Sequence, residues 1–138
     1  HALHQLPGEN DLLLLQPTSP LRTVDDIEGI INKRKELSRS SIVSISLSPK
    51  HPAYMYSLTK DSLIEPITRN EQPNFRQELP LVFTLNGALF LASREFLLKH
   101  STFITKNTIG YEMPLERSID IDTQLDWKLA EFLMQQTK

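Results

Sequence analysis

A chain of 138 residues with 39% hydrophobic and 23% charged residues is long enough for one domain with a proper core. Its formal net charge of −2 leaves no electrostatic footprint for nucleic acid or a membrane surface, and its apolar runs fall short of the length that a bilayer demands. The absence of cysteine excludes a disulfide framework, a thiolate zinc site and a thiol nucleophile, and agrees with a reducing cytoplasm. The opening His1-Ala2-Leu3-His4 has no Met and no signal-peptide pattern, so we expect a portion of a longer polypeptide.

The first strong element is the four-leucine run at 12–15, apolar on both faces, which predicts a central strand of a parallel sheet. It stops at Gln16-Pro17-Thr18-Ser19-Pro20-Leu21-Arg22, a polar loop stiffened by two prolines. In open α/β sheets ligands sit beyond the carboxyl ends of strands, which puts Gln16, Thr18 and Ser19 where a site would be; a rigid connecting turn is the plainer alternative. Thr23 with Asp26 has capping-box spacing, and Val24, Ile27, Ile30, Ile31 and Leu37 predict a helix over 24–38. The basic residues at 33–35 suit a solvated helix C-terminus. Ile42, Val43 and Ile45 predict a strand, and the three elements together read as a right-handed βαβ unit.

Residues 49–80 differ in character. They hold five of the nine prolines, with β-prone pieces at 54–58 and 63–67, and predict an arm or lid. A strand over 81–92, interrupted at Asn86-Gly87, leads to a short helix opening at Ser93. Another extended segment follows at 102–112. The segment Ser118-Ile119-Asp120-Ile121-Asp122 then feeds a helix at Thr123, whose spacing to Asp126 repeats the capping box. Leu125, Leu129, Phe132 and Leu133 are its expected buried stripe.

Asp120 and Asp122, two residues apart on an extended segment, would project from one face, and paired hard oxygen ligands suit Mg²⁺. The alternative is that Asp122 caps the following helix and Asp120 faces solvent. Arg76 and Gln77 offer a guanidinium fork beside an amide, fit for a carboxylate or phosphate, or for an ion pair with Glu71 or Glu78. The four histidines show no metal-ligand spacing and read as surface residues. No serine–histidine–aspartate arrangement and no glycine-rich phosphate loop is present.

In order along the chain, Leu-Leu-Gln-Pro-Thr-Ser-Pro-Leu-Arg at 14–22, Arg-Gln-x-Leu-Pro at 76–80, Asn-Gly-Ala at 86–88 and Ser-Ile-Asp-Ile-Asp-Thr at 118–123 resemble the acylneuraminate cytidylyltransferases. These enzymes include the CMP-sialic acid synthetases and their relatives for legionaminic and pseudaminic acids. The resemblance runs from Asp11 to Glu131. It implies an α/β fold, part of a Rossmann-like nucleotidyltransferase sheet with a protruding dimerisation arm. It implies transfer of CMP from CTP to a nonulosonic acid with release of pyrophosphate, Mg²⁺ as cofactor, and a cytoplasmic homodimer. By position, Gln16 would contact the sugar acid with Thr18 and Ser19 beside it. Arg76 and Gln77 would grip the acidic sugar or the phosphates with Asn86 nearby, and Asp120 and Asp122 would hold the metal.

Two cations common in sialic acid enzymes are replaced here, by Tyr54 after His51-Pro52 and by Thr84 before Asn86-Gly87, which points toward a legionaminic-type substrate. The family's CTP-cradling loop has no counterpart before Leu12, so this chain by itself is expected to be inactive. A non-catalytic dimerising fragment and a nucleotidyltransferase for another sugar are the alternatives.

Overall fold

The computed structural model describes residues 2–5, 10–68 and 79–136. Two compact units emerge: one combines residues 1–46 with 85–138, and the other is Leu47–Thr84. A mixed four-stranded sheet organises the first unit, in the order β1-β5-β2-β6, where β1 is Asp11–Leu15, β2 Ser41–Leu47, β5 Phe83–Ser93 and β6 Ile109–Glu112. β1 runs antiparallel to β5, with Leu13 opposite Leu91, whereas β2 and β6 are parallel, with Val43 opposite Gly110. The helices are α1 (Ala2–Gln5), α2 (Val24–Leu37), α3 (Arg94–His100) and α4 (Gln124–Gln136).

Helix α2 starts where the sequence says it should. Thr23 is extended, its hydroxyl accepts from the Asp26 amide, and the Asp26 carboxylate reaches back to the Thr23 amide, a reciprocal capping box. Ile30 is fully buried against Ile42, Ala88, Leu89, Leu91 and Met113, with Ile27 and Ile31 packed on that cluster. The stripe is narrower than its periodicity suggests, because Val24 and Leu37 at the helix ends are exposed. Strand β2 is buried on both faces, and its serines 41, 44 and 46 are among the buried polar residues.

Three expectations fail. The leucine strand β1 lies at one end of the described sheet rather than in its centre, and Leu14 and Leu15 are 44% and 38% exposed. A run apolar on both faces has no period, so it cannot separate a central strand from a terminal one. β1 and β2 are not neighbours either; β5 lies between them, so the expected βαβ unit is split by a strand from much later in the chain. In α4 the expected stripe faces outward: Leu125, Leu129 and Phe132 are exposed, while Ala130 is buried and Leu133 half-buried. The small Ala130 side chain lets the helix sit close, and the large residues occupy the other face. The extended segment expected over 102–112 shortens to β6.

The unit Leu47–Thr84 contains an antiparallel hairpin of β3 (Tyr56–Leu58) and β4 (Ile64–Pro66) in which Ser57 faces Glu65. Its apolar residues are strongly exposed, among them Leu58, Leu63, Ile64 and Ile67 at 62–71%. His51, expected at the surface, is half-buried. Its Nδ1 accepts from the Ala53 amide at 3.1 Å, capping a short 3₁₀ turn at Pro52–Tyr54, and its Nε2 is buried without a hydrogen-bond partner among the described residues.

Candidate active site

The first and last sequence motifs meet. The amide of Ile121 donates to the carbonyl of Thr18 at 2.8 Å, joining the loop that follows β1 to the segment that precedes α4. Each loop is held from within. Arg22 Nη1 donates to the carbonyls of Gln16 at 2.5 Å and Ser19 at 2.8 Å, and the Ser19 amide closes a turn onto the Gln16 carbonyl. This guanidinium replaces donors that the two prolines cannot supply.

Asn86 lies beneath the two loops on β5 and is 4% exposed. Its Oδ1 accepts from Ser44 Oγ at 2.6 Å and from the Ala88 amide at 3.2 Å, and its Nδ2 donates to Ser118 Oγ at 2.9 Å. Its main-chain carbonyl faces Ser19 Oγ at 3.5 Å. One buried amide therefore ties β2, β5, the first loop and the last loop together, and every polar group it buries is engaged. Ser19 is fully buried in this network, whereas Thr18 is exposed and Gln16 half-buried.

Gly87, next along β5, has φ +74°. A Cβ placed there would lie 2.7 Å from Gln16 Oε1 and 3.0 Å from Asp120 Oδ2, so these two side chains face the same spot from opposite motifs. The other oxygen of Asp120, Oδ1, is buried with no hydrogen-bond partner among the described residues. Buried carboxylate oxygens ordinarily have partners, so this one calls for an explanation. Asp122, in contrast, is exposed and does not cap α4 with its carboxylate. That role belongs to Thr123 and Asp126, whose carboxylate accepts from the Thr123 amide at 2.8 Å and from the Asp122 amide at 3.3 Å. The Thr123 hydroxyl, which donates to the same carboxylate at 2.7 Å, and then these amides hold the Asp126 carboxyl below its ordinary value.

A second brace fixes the approach to Asp120. Arg117 grips the buried Asp26 carboxylate through Nε and Nη2, both at 2.8 Å. Burial pushes the Asp26 carboxyl up, but the Arg117 and Thr23 hydrogen bonds with the guanidinium charge outweigh it, and the group sits below the usual carboxylate range. The same pair raises the Arg117 guanidinium above its normal value.

Of the residues expected from sequence, Gln16, Thr18, Ser19, Asn86 and Asp120 are brought to one place, with Asp122 at its exposed margin. Arg76 and Gln77 lie outside the described residues. The sequence reading missed Ser44, Arg117 and the site-facing role of Gly87. Serines recurring within an otherwise apolar strand were a usable signal for the first; nothing local marked Arg117. Among the described residues no three acidic or histidine side chains cluster as a metal cage. A groove of about 500 Å³ lined by Leu12, Leu13, Leu14, Leu97 and Phe103 includes none of these groups.

Over 125 residues, 91% of its length, the chain is 31% identical to the N-acylneuraminate cytidylyltransferase of Streptococcus agalactiae serotype V. Over nine-tenths of its length the chain is thus similar to part of an acylneuraminate cytidylyltransferase, of which it covers 30%. It is 30% identical over 128 residues to the CMP-N,N'-diacetyllegionaminic acid synthase of Legionella pneumophila. With the N-acylneuraminate cytidylyltransferase of Escherichia coli O18:K1:H7 it shares 28% identity over 136 residues. The chain spans 54% of the Legionella protein's length and about a third of the others', 30% and 32%. No family model matches the chain. Among the described residues, no helix is long and apolar enough to cross a membrane.

Proposed function

We propose that the intact protein transfers CMP from CTP to the anomeric hydroxyl of a nonulosonic acid of the sialic or legionaminic type. The anomeric hydroxyl gives up its proton to solvent as its oxygen forms the new bond to the α-phosphorus, the bond from that phosphorus to the bridging oxygen breaks, and pyrophosphate leaves with the electron pair. The observation that carries this reading is the half-buried Asp120 carboxylate, whose Oδ1 is buried without a hydrogen-bond partner among the described residues and which is set beside Gln16 where the two family motifs meet.

The donor set fits Mg²⁺, which takes hard oxygen ligands and commonly only one or two protein carboxylates, the remainder being water and substrate phosphate. Asp120 would be the inner ligand and Asp122 the outer one. When bound, the ion supplies neutralisation of phosphate charge. The protein's own contribution is positional: Gln16, with Thr18 beside it, orients the sugar acid, and Ser19 and Asn86 hold the loops in register. Arg76 and Gln77 enter the proposal on the family motif alone, as the grip on the substrate's carboxylate or phosphates.

We read the sheet as part of a Rossmann-like nucleotidyltransferase sheet, and the hairpin unit as a dimerisation arm, since its exposed Leu58, Leu63, Ile64 and Ile67 need a surface to cover. The setting would be cytoplasmic. The test is pyrophosphate release by the full-length protein supplied with CTP, Mg²⁺ and a panel of sialic, legionaminic and pseudaminic acids. Release with one or more of them supports the reading, and none with any of them overturns it. Turnover of the legionaminic acid above the sialic acid is the expected ranking, from the replacement of two cations by Tyr54 and Thr84.

A further inference from the structure

We propose that Gly87 is a positioning residue of this site: its missing side chain sets where the Asp120 carboxylate and the Gln16 amide stand. The proposal rests on the cytidylyltransferase reading for its kinetic arm only. Two independent observations support it. A Cβ at position 87 would come to 2.7 Å from Gln16 Oε1 and 3.0 Å from Asp120 Oδ2, both closer than ordinary carbon–oxygen contact. The contacted carboxylate is also the one whose other oxygen is buried and unpartnered among the described residues, which supply no hydrogen bond on Oδ1 to hold it against a push.

The remaining described glycines make a useful contrast. A Cβ at Gly29 would strike the Tyr111 ring, and one at Gly110 would strike Ile45, so both positions press on packing around the core. At Gly87 the neighbours are two movable polar ends. A substitution there displaces the groups that would meet substrate and metal and leaves the hydrophobic cluster untouched. The Asn86 network fixes the backbone on one side of Gly87, so the side chains must yield rather than the strand.

The experiment is Gly87→Ala and Gly87→Asn in the full-length protein, alone and combined with Gln16→Ala. Both variants carry the backbone strain of φ +74°, less for Asn than for Ala, so the Cβ collision is read from the Gln16 and Asp120 signals and from the Gln16→Ala background rather than from the size of the penalty. Two readouts are taken. The side-chain NMR signals of the Gln16 amide and the Asp120 carboxyl should move in both variants while those of the core methyls stay. The value of kcat/KM should fall about 10- to 100-fold, as when a group supporting a metal ligand is disturbed, with a higher Mg²⁺ requirement. In the Gln16→Ala background the added loss should be smaller, because one of the two collisions is gone. Unmoved Gln16 and Asp120 signals would overturn the proposal whether or not the enzyme is active. So would wild-type kinetics in Gly87→Ala, or a penalty equally large in the Gln16→Ala background. A wild-type protein that releases no pyrophosphate counts against the proposed function and leaves the spectroscopic arm to decide this inference.

Discussion

Helices α2 and α4 begin with the same local device, Thr-x-x-Asp, each directly after one of the two loops that build the candidate site, yet the folded protein treats them differently. At α2 the capping carboxylate of Asp26 is 1% exposed and held by Arg117 from a distant part of the chain, and the helix buries Ile30. At α4 the capping carboxylate of Asp126 is bound, among the described residues, by its neighbours Thr123 and the Asp122 amide, and the helix presents Leu125 and Phe132 outward. A capping box is local hydrogen-bond chemistry, so it forms at both places. Whether it becomes a tertiary anchor depends on what arrives from elsewhere. The anchored helix start lies under the loop that carries Gln16, and the lightly held one follows the loop that carries Asp120 and Asp122.

The contrast separates chemistry from scaffolding, and the largest expected effect tests that division. Asp120→Asn in the full-length protein should reduce CMP-sugar formation by more than about 100-fold, since several kcal/mol of charge neutralisation would go with the ligand. Its thermal midpoint should not fall, because the substitution keeps the shape of a half-buried side chain whose Oδ1 has no hydrogen-bond partner among the described residues. A variant with unchanged turnover at limiting Mg²⁺ would place the metal elsewhere. Arg117→Met should do the reverse. It strands the buried Asp26 carboxylate and should lower unfolding stability by about 3 kcal/mol, read from urea titration. A loss no greater than that of Asp126→Asn would erase the distinction between the two helix starts.

Acid titration sharpens the same point. The Asp26 carboxyl is lowered by Arg117 and Thr23 against the upward push of burial. Its stabilisation is thus complete above the unfolded carboxylate value of about 3.9 and is lost as pH falls through the lower folded value. The gap in urea midpoint between wild type and Asp26→Asn should be wide at pH 6 and close as pH falls through the lowered folded value, whereas Asp126→Asn should show a narrower gap of the same sign. The smallest effect belongs to the caps themselves. Thr23→Ala should cost about 2 kcal/mol and Thr123→Ala about 1 or less, within the usual range for N-cap threonines. Equal losses would mean that the Arg117 contact adds nothing at α2.

What the sequence could reveal follows the same division. Both capping boxes, the Ser93 start of α3, the paired β pieces of the hairpin and the motifs holding Gln16 and Asp120 depend on near neighbours, and all were legible. The position of β1 at the end of the described sheet was not, because four leucines carry no orientation. The outward face of α4 was not legible either: hydrophobic spacing identifies an apolar stripe but not whether this part of the chain covers it. Asn86 was visible as a motif residue, but its role as the knot between Ser44 and Ser118 arises only when residues distant in sequence become neighbours. Gly87 read as a turn residue. Its meaning comes from Gln16 and Asp120, which no local window contains.

The brace around Asn86 and Arg117 also has a consequence in time. Its bonds close large loops: Ser44 to Asn86 spans 42 residues, Ser19 to Asn86 spans 67, and Arg117 to Asp26 spans 91. Each needs distant chain segments to have found one another first, and closing such loops costs entropy before any contact rewards it. The motif junction is therefore expected to assemble after the local helices and the hairpin, on the native side of the folding barrier. Interactions formed that late act on the rate of leaving the native state more than on the rate of reaching it. Removing the Arg117 clamp should accordingly speed unfolding while refolding barely slows, which makes the candidate site the part of the molecule that opens first.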